Sequence, residues 1–335
     1  AVTFNGGGTV GITSETLSVA SGERHDGTEG TGVRVVWTTD SALSAKFISS
    51  LSGSAVQRTF KWLELDCNGK KLEGALNLST GGSTSYQGTA DKLLIHGSLE
   101  TLGRVYGIKA PSMYSDVLNC IVYDMASTLA GGQQVVGIEI VDGNSNILNC
   151  TTHNITSDAG SSYTRGVSCL SANATAIQNT IATDSLDDDF GGTAPATESY
   201  NLSSDATAAG TGSLTSKTAA NQFVSTVAGS EDLHLKTGAD AIDAGTDLVA
   251  TPDGIQYDIN GSNRNALSAT VWDIGAHQYA STASIGTSSR DYSTITLWEA
   301  DLDDTTVYGA GANAVGECYN DSTFDESVTI DGGIT

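Results

Sequence analysis

Hydrophobic residues along this chain come in short runs separated by clusters of Asn, Gly, Ser and Asp, and three of those runs are variants of one segment. Gly107-Ile108 opens a stretch containing Val117-Leu118-Asn119-Cys120. Gly137-Ile138 opens one containing Ile147-Leu148-Asn149-Cys150. Gly166-Val167 opens a third, in which Ala176-Ile177-Gln178-Asn179 takes the same place. The openings are offset by 137 − 107 = 30 and then by 166 − 137 = 29. Each copy holds an apolar run, a polar turn such as Asp142-Gly143-Asn144-Ser145-Asn146, and a second apolar run. A unit of this kind cannot bury its apolar face alone, so the period predicts stacked copies, a solenoid.

The residue types decide which solenoid. Helical repeats need Ala, Leu, Glu and Lys at a 3.6 period. These segments are built from Val, Ile, Thr, Asn and Gly, and Gly137-Ile-Glu-Ile-Val141 alternates as a strand does. The expected fold is all-β, a parallel β-helix, with like residues stacked about 4.8 Å apart. Asn119 and Asn149 are then expected to form one ladder and Cys120 and Cys150 another, with Gln178 and Asn179 continuing the two. Residues 1–60 and Trp62–Gly69 read as further strands and glycine turns. Residues 187–230 are small, polar and acidic and read as long turns or an irregular coil.

Composition narrows the function classes. There are 39 Gly, 3 Pro and 39% hydrophobic residues, which suits a thin core. Against 39 Asp and Glu stand 15 Lys and Arg, a net charge of −24. Nucleic acid is therefore not an expected partner, because phosphate binding needs a basic surface. No apolar run reaches about 18 residues, so no membrane span is expected. The chain starts at Ala1 without an initiator Met or leader, which suggests processing or a piece of something longer. The five cysteines, Cys67, Cys120, Cys150, Cys169 and Cys318, lack CxxC spacing and read as buried thiols, with the disulfide state of Cys120 and Cys150 left open. Asn-X-Ser/Thr sites make Asn77, Asn154, Asn173, Asn201, Asn260 and Asn320 candidates for covalent glycans; a seventh, Asn149, falls in the expected internal ladder.

Toward the end the pattern changes. Ala239-Asp240-Ala241-Ile242-Asp243-Ala244-Gly245 is followed by Asp258-Ile259-Asn260-Gly261 with Arg264, then by Trp272-Asp273-Ile274-Gly275-Ala276-His277-Gln278-Tyr279. This resembles the closing segment of secreted bacterial right-handed parallel β-helix repeat proteins, in which a D-I-G-A-x-E/Q-Y phrase ends the coil stack. The resemblance spans positions 239–279 and implies right-handed architecture and export to the extracellular space or cell surface.

The chain nevertheless continues. Ile295, Trp298 and Leu302 recur at helical spacing behind Ser293, a candidate N-cap, and predict one short amphipathic capping helix near residues 293–302, of the type that opens related β-helices. Val328-Thr329-Ile330-Asp331-Gly332-Gly333 then echoes Val2-Thr3-Phe4-Asn5-Gly6-Gly7 at an offset of 328 − 2 = 326, the scale of a whole module. A start placed after a stop suggests a β-helix body at 1–280 and, at 281–335, the opening helix and first coils of the next module. The expected function is a structural subunit or tandem repeat of an extracellular filament. It would join copies of itself head to tail through Val2, Phe4, Ile295, Trp298, Leu302, Val328 and Ile330. The alternative is a carbohydrate-active enzyme, a polysaccharide lyase or hydrolase, or a glycan-binding adhesin on the same scaffold. Its candidate acid–base pair is Asp187 and Asp189, and Asp187, Asp188 and Asp189 are candidate calcium ligands. The charged cluster Glu23-Arg24-His25-Asp26 and the isolated histidines His153 and His277 read as structural.

Overall fold

The computed structural model describes residues 2–5, 14–40, 46–51, 57–78, 88–100, 103–111, 114–128, 134–158, 163–248, 252, 254–264, 271–287, 290, 292–302, 313–320 and 323–329. Its body is a parallel β-solenoid of seven circuits, each supplying one strand to each of three sheets. The first circuit is β1 (Val2–Asn5), β2 (Ser14–Ser18) and β3 (Arg34–Val36). The next are β4 (Lys46–Leu51), β5 (Gln57–Lys61), β6 (Glu64–Asp66), then β7 (Gly74–Asn77), β8 (Gly88–Asp91), β9 (Leu94–Glu100). The repeats found in the sequence are β10 (Val105–Ala110), β11 (Ser115–Leu118), β12 (Ile121–Ser127), then β13 (Val135–Ile140), β14 (Asn146–Leu148), β15 (Thr151–Ser157), then β16 (Thr164–Cys169), β17 (Ala176–Gln178), β18 (Ile181–Thr183). A seventh circuit is β19 (Asp188–Gly192), β20 (Thr197–Ser199) and β21 (Leu202–Ser203).

The glycine that opens each repeat has a packing cause. A Cβ on Gly137 would lie 2.6 Å from the Gly166 carbonyl oxygen, and one on Gly107 would lie 2.3 Å from Val122 Cγ1 and 2.6 Å from the Gly137 carbonyl. The next residue, Ile108, Ile138 or Val167, stacks in register and fills the interior with Leu65, Ile95 and Val122. The corner between the second and third sheets is a single left-handed residue in each of six circuits: Trp62, Lys92, Asn119, Asn149, Asn179 and Tyr200, with φ between 51° and 63°. Asn tolerates that conformation better than most residues, which is why three of the six are Asn.

Two expectations about register and regularity need correction. Ile147 pairs with Ile177, so Asn179 alone continues the Asn ladder, Gln178 stands over Leu148, and the Cys ladder passes to Thr180. The offset from glycine to isoleucine is 147 − 137 = 10 in one copy and 177 − 166 = 11 in the next, so the third turn is longer by a single position. Residues 187–230 are not an irregular coil at their start. Asp188–Gly192 form a strand because β16 supplies the register, Arg165 opposite Asp188 and Val167 opposite Phe190.

After the last circuit, α1 (Ala219–Gln222) leads to an antiparallel hairpin, β22 (Phe223–Ser225) and β23 (Asp232–Leu235). The described residues of 236–248, 252, 254–264 and 271–279 then form a strap over the third sheet's outer face. Leu94, Ile121, Tyr123, Ile181 and Leu202 point outward there and are covered by Phe223, Leu233, Leu235, Ile259, Ile274 and Ala276. The three closing phrases therefore lie along the flank instead of ending the stack. The apolar outer face needs cover, while the stack's end is already closed by other residues. Asn179 exchanges hydrogen bonds with the Thr246 backbone (3.0 and 2.7 Å), Asn149 Nδ2 donates to the Ile255 carbonyl (3.3 Å), and the Ala276 N–H donates to Thr151 Oγ1 (3.0 Å). The phrases meet at Arg264, fully buried, whose Nη2 donates to the carbonyls of Gly275 and Ala276 at 2.9 Å each. Asp273 accepts from the Asp243 and Tyr279 N–H groups and Asp258 from that of Gln278; burial pushes Asp273 up to about 6 and Asp258 upward as well.

Beyond the strap, β24 (Ala280–Ile285) pairs in parallel with β25 (Asn313–Cys318), with α2 (Ile295–Leu302) between them. Among the described residues no helix is long and apolar enough to cross a membrane.

Candidate functional site

The two ends of the stack are built differently. At the start, β1, β2 and β3 pair inward with β4, β5 and β6, and their outer edges pair with no described residue. Apolar side chains stay in water beside those edges: Leu17 is 37% exposed, Val33 40% and Val36 36%. Unpaired N–H and C=O groups beside apolar surface are a template for another strand.

The far end is closed by residues 204–216. Phe190 N–H donates to Thr207 Oγ1 (2.9 Å), Asp189 N–H to Asp205 Oδ2 (2.9 Å), Tyr200 N–H to the Thr211 carbonyl (2.9 Å) and Ser203 N–H to the Leu214 carbonyl (2.9 Å). Here the Asp187–Asp189 triplet finds its place. Asp187 Oδ2 accepts from Thr164 N–H (2.7 Å), Asp188 pairs with Arg165 (3.1 Å), and fully buried Asp189 accepts from Ser185 N–H, from Ser204 N–H and Oγ–H, and from Asp205 N–H. Burial pushes the Asp189 carboxyl up, against the hydrogen bonds from Ser204 and Ser185. Each of the three carboxylates is engaged by backbone N–H groups or by an ion pair, and among the described residues they do not form a metal-ligating group of three.

The C-terminal segment has a small core of its own. Ile285 and Trp298 are buried in it, packed by Tyr292, Ile295, Leu302, Ala314 and Phe324. The helix is capped by Thr294, whose Oγ1 accepts from Leu297 N–H (3.2 Å), instead of by Ser293. Glu326 takes the Ile295 and Thr296 N–H groups (2.8 and 3.0 Å), and the Thr296 contacts hold its pKa below the usual range. The parallel register of β24 on β25 has an offset of 318 − 285 = 33, close to one circuit. The outer edge of β25 pairs with no described residue. Val328 is half-buried and in no strand, while Ile330 and the side chains of Val2 and Phe4 lie outside the described residues.

Of the glycan candidates, Asn173, Asn260 and Asn320 are exposed. Asn77 and Asn201 are buried, and Asn154 Nδ2 donates to Asp124 Oδ1 (2.6 Å). The described cysteines are free thiols, four buried and Cys318 exposed, the last contrary to the expectation of buried thiols throughout. His25 Nε2 lies 3.0 Å from the Lys92 carbonyl, His153 Nδ1 3.0 Å from Thr183 Oγ1, and His277 Nδ1 accepts from Leu235 N–H (3.0 Å). Burial lowers the pKa of all three.

One arrangement was not legible in the sequence. On the third sheet's outer face, beside the hairpin, lies a cleft of about 370 Å³ lined by Thr28, Glu29, Gly30, Arg34 and residues 229–232. Glu64, which accepts from the N–H of the lining residue Gly30 (2.9 Å), touches His96 at 3.1 Å (Oε1 to Nε2). The signal that could have found it is the ladder Asp66, His96, Tyr123, His153, which repeats one outward position in four successive circuits. At the cleft's rim His234 binds Asp232 (2.5 Å) and the Asp26 carbonyl (2.7 Å). Burial opposes its charge, yet the Asp232 carboxylate lifts its pKa to about 9.

The chain matches no protein-family model, and neither a curated protein nor a solved structure is detectably similar to it.

Proposed function

We propose that this protein is the repeating structural unit of an extracellular filament, joined head to tail by continuation of the solenoid. The observation that carries the reading is the asymmetry of the ends: one closed by residues 204–216, the other presenting three strand edges that pair with no described residue. The C-terminal segment supplies what the open end lacks. If Val328 stands where Val2 of the following unit stands, β25 begins ahead of that unit's first strand by 328 − 313 = 15. Third-sheet strands precede the next circuit by similar intervals, 135 − 121 = 14 for β12 and 164 − 151 = 13 for β15. By that spacing β25 belongs to the third sheet, and its free edge meets the free edge of β3 in the adjoining copy, in the order β24-β25-β3-β6. The helix α2, between two strands one circuit apart, then covers the entrance of the core. Strand addition supplies backbone hydrogen bonds along the joint, and a contact that does not close on itself grows as a fibre. The acidic surface and the exposed Asn173, Asn260 and Asn320 suit a secreted, glycan-bearing filament, and the closing phrases agree with export.

Electron microscopy of the purified chain tests this. Fibres are expected from the full chain, and separate folded rods after deletion of residues 281–335. Fibres that persist in the truncated protein exclude the segment as connector.

A further inference from the structure

Glu29, Glu64 and His96 each present a ligand atom to the others within 4.8 Å, the one such group of three among the described residues. They come from a loop, from β6 and from β9, so the solenoid's stacking brings them together. His96 Nε2 and Glu64 Oε1 are 3.1 Å apart. Neighbouring donors on one ion, each about 2.0–2.2 Å from it, stand at about this separation. The imidazole is held in place for ligation. Its ring stacks on Tyr123 (centroids 5.1 Å, 13°), and its Nδ1 faces Asp66 Oδ1 at 3.9 Å. A carboxylate behind a ligating histidine is the usual orienting partner.

A second, independent observation comes from the hairpin. Glu231 is 6% exposed, lines the same cleft, and its Oε2 has no hydrogen-bond partner. Its neighbour is another carboxylate, Asp124, and burial with that neighbour pushes Glu231 upward. After burial itself, the charges of Glu29, Glu231, Asp124 and Glu64 push the Tyr123 phenol up. Arg34 faces them, 3.3 Å from Glu29, 3.6 Å from Asp66 and 3.9 Å from Glu64, with a side chain 41% exposed. A buried carboxylate oxygen without a hydrogen bond is costly, and a bound cation removes that cost.

We propose that Glu29, Glu64 and His96, joined by Glu231 from the hairpin, bind one divalent transition-metal ion. An imidazole with carboxylates favours Zn²⁺ or Mn²⁺ over an all-oxygen calcium site. The ion enters between His96 Nε2 and Glu64 Oε1. Arg34 leaves Glu29 as the ion enters. The ion ties the loop before β3, the sheet and the hairpin into one body.

The test uses the full chain with Cys318→Ser, which removes the exposed thiol as a competing ligand, titrated with Co²⁺ and Zn²⁺. One equivalent of Co²⁺ is expected to bind with visible absorption bands of a nitrogen- and oxygen-ligated ion, and Zn²⁺ to raise the melting temperature. His96→Ala should weaken binding about tenfold or more. Glu231→Gln, on the hairpin, should weaken binding while the circular dichroism stays unchanged, which separates ligand loss from misfolding. Arg34→Ala should tighten binding, because a competing cation is gone. Absence of saturable binding, or binding indifferent to His96→Ala and to Glu231→Gln, overturns the proposal.

Discussion

The first and last circuits are made of the same three strands, yet they sit in opposite surroundings. The last advances by 190 − 167 = 23 from Val167 to Phe190, and residues 204–216 return across it to satisfy its edge. The first advances by 48 − 2 = 46 from Val2 to Ile48, and leaves Leu17, Val33 and Val36 in water. A side chain of the same kind therefore does different work at the two ends. Phe190 is core, held under Thr207 and Asp205, while Leu17 touches solvent. On the proposed reading, the closed end contributes stability and the open one association.

The largest expected effect on the folded rod is at the closed end. Asp189→Ala removes the acceptor for four donors and should cost about 3–5 kcal/mol of unfolding free energy, read in urea melts of the truncated chain 1–280. A value near zero would mean that residues 204–216 do not close the stack. Phe190→Ala should cost about 3 kcal/mol, and Leu17→Ala at the open end less than about 1 kcal/mol. Equal costs for the two would erase the distinction between the ends. Gly137→Ala, in the middle circuits, places a Cβ against the Gly166 carbonyl and should cost about 2 kcal/mol or more, since backbone must shift on both circuits.

A pH effect of similar size sharpens the comparison from the flank. The folded pKa of His234 is about 9 against 6.5 for the free side chain, so the contact with Asp232 stabilises fully below pH 6.5 and is lost as pH rises through about 9. The loss should be about 2–3 kcal/mol between pH 6.5 and 9, absent in His234→Asn. Asp232, whose pKa that same hydrogen bond lowers, contributes above its ordinary value and loses its contribution as pH falls, so the contact fails at both extremes. The smallest effect on stability should carry the largest effect on assembly. Val36→Lys should leave the melting temperature within a few degrees and abolish fibres, because a charge at the open edge blocks strand addition.

Much of the fold was legible in the residue pattern, for reasons the structure makes plain. Gly107, Gly137 and Gly166 recur because each circuit's backbone lies against the next, and Ile108, Ile138 and Val167 recur because they share one interior column. A single added position in the turn before Ala176 shifted the third ladder by one place. The strand at Asp188–Gly192 was hidden because two Asp and two Gly have little strand preference of their own; β16 imposes the conformation. The closing phrases were recognisable as a set but not in their position, since nothing local to Arg264 says which surface its buried hub will cover. The cleft was hidden most deeply: Glu29, Glu64, His96 and Glu231 are far apart in the chain, and only stacking and the β22–β23 hairpin bring them to one face.

The central claim is that β25 of one copy extends the third sheet of the next through β3. The most direct measurement is cryo-electron microscopy of fibres grown from the purified full chain. Seven circuits, the closing layer of residues 204–216 and the layers of β24 and β25, at about 4.8 Å each, predict an axial repeat of roughly 45–50 Å, with parallel third-sheet strands running through the β25–β3 joint. A preparation that stays as single rods at every concentration, or a fibre in which β3 still faces solvent, would contradict it.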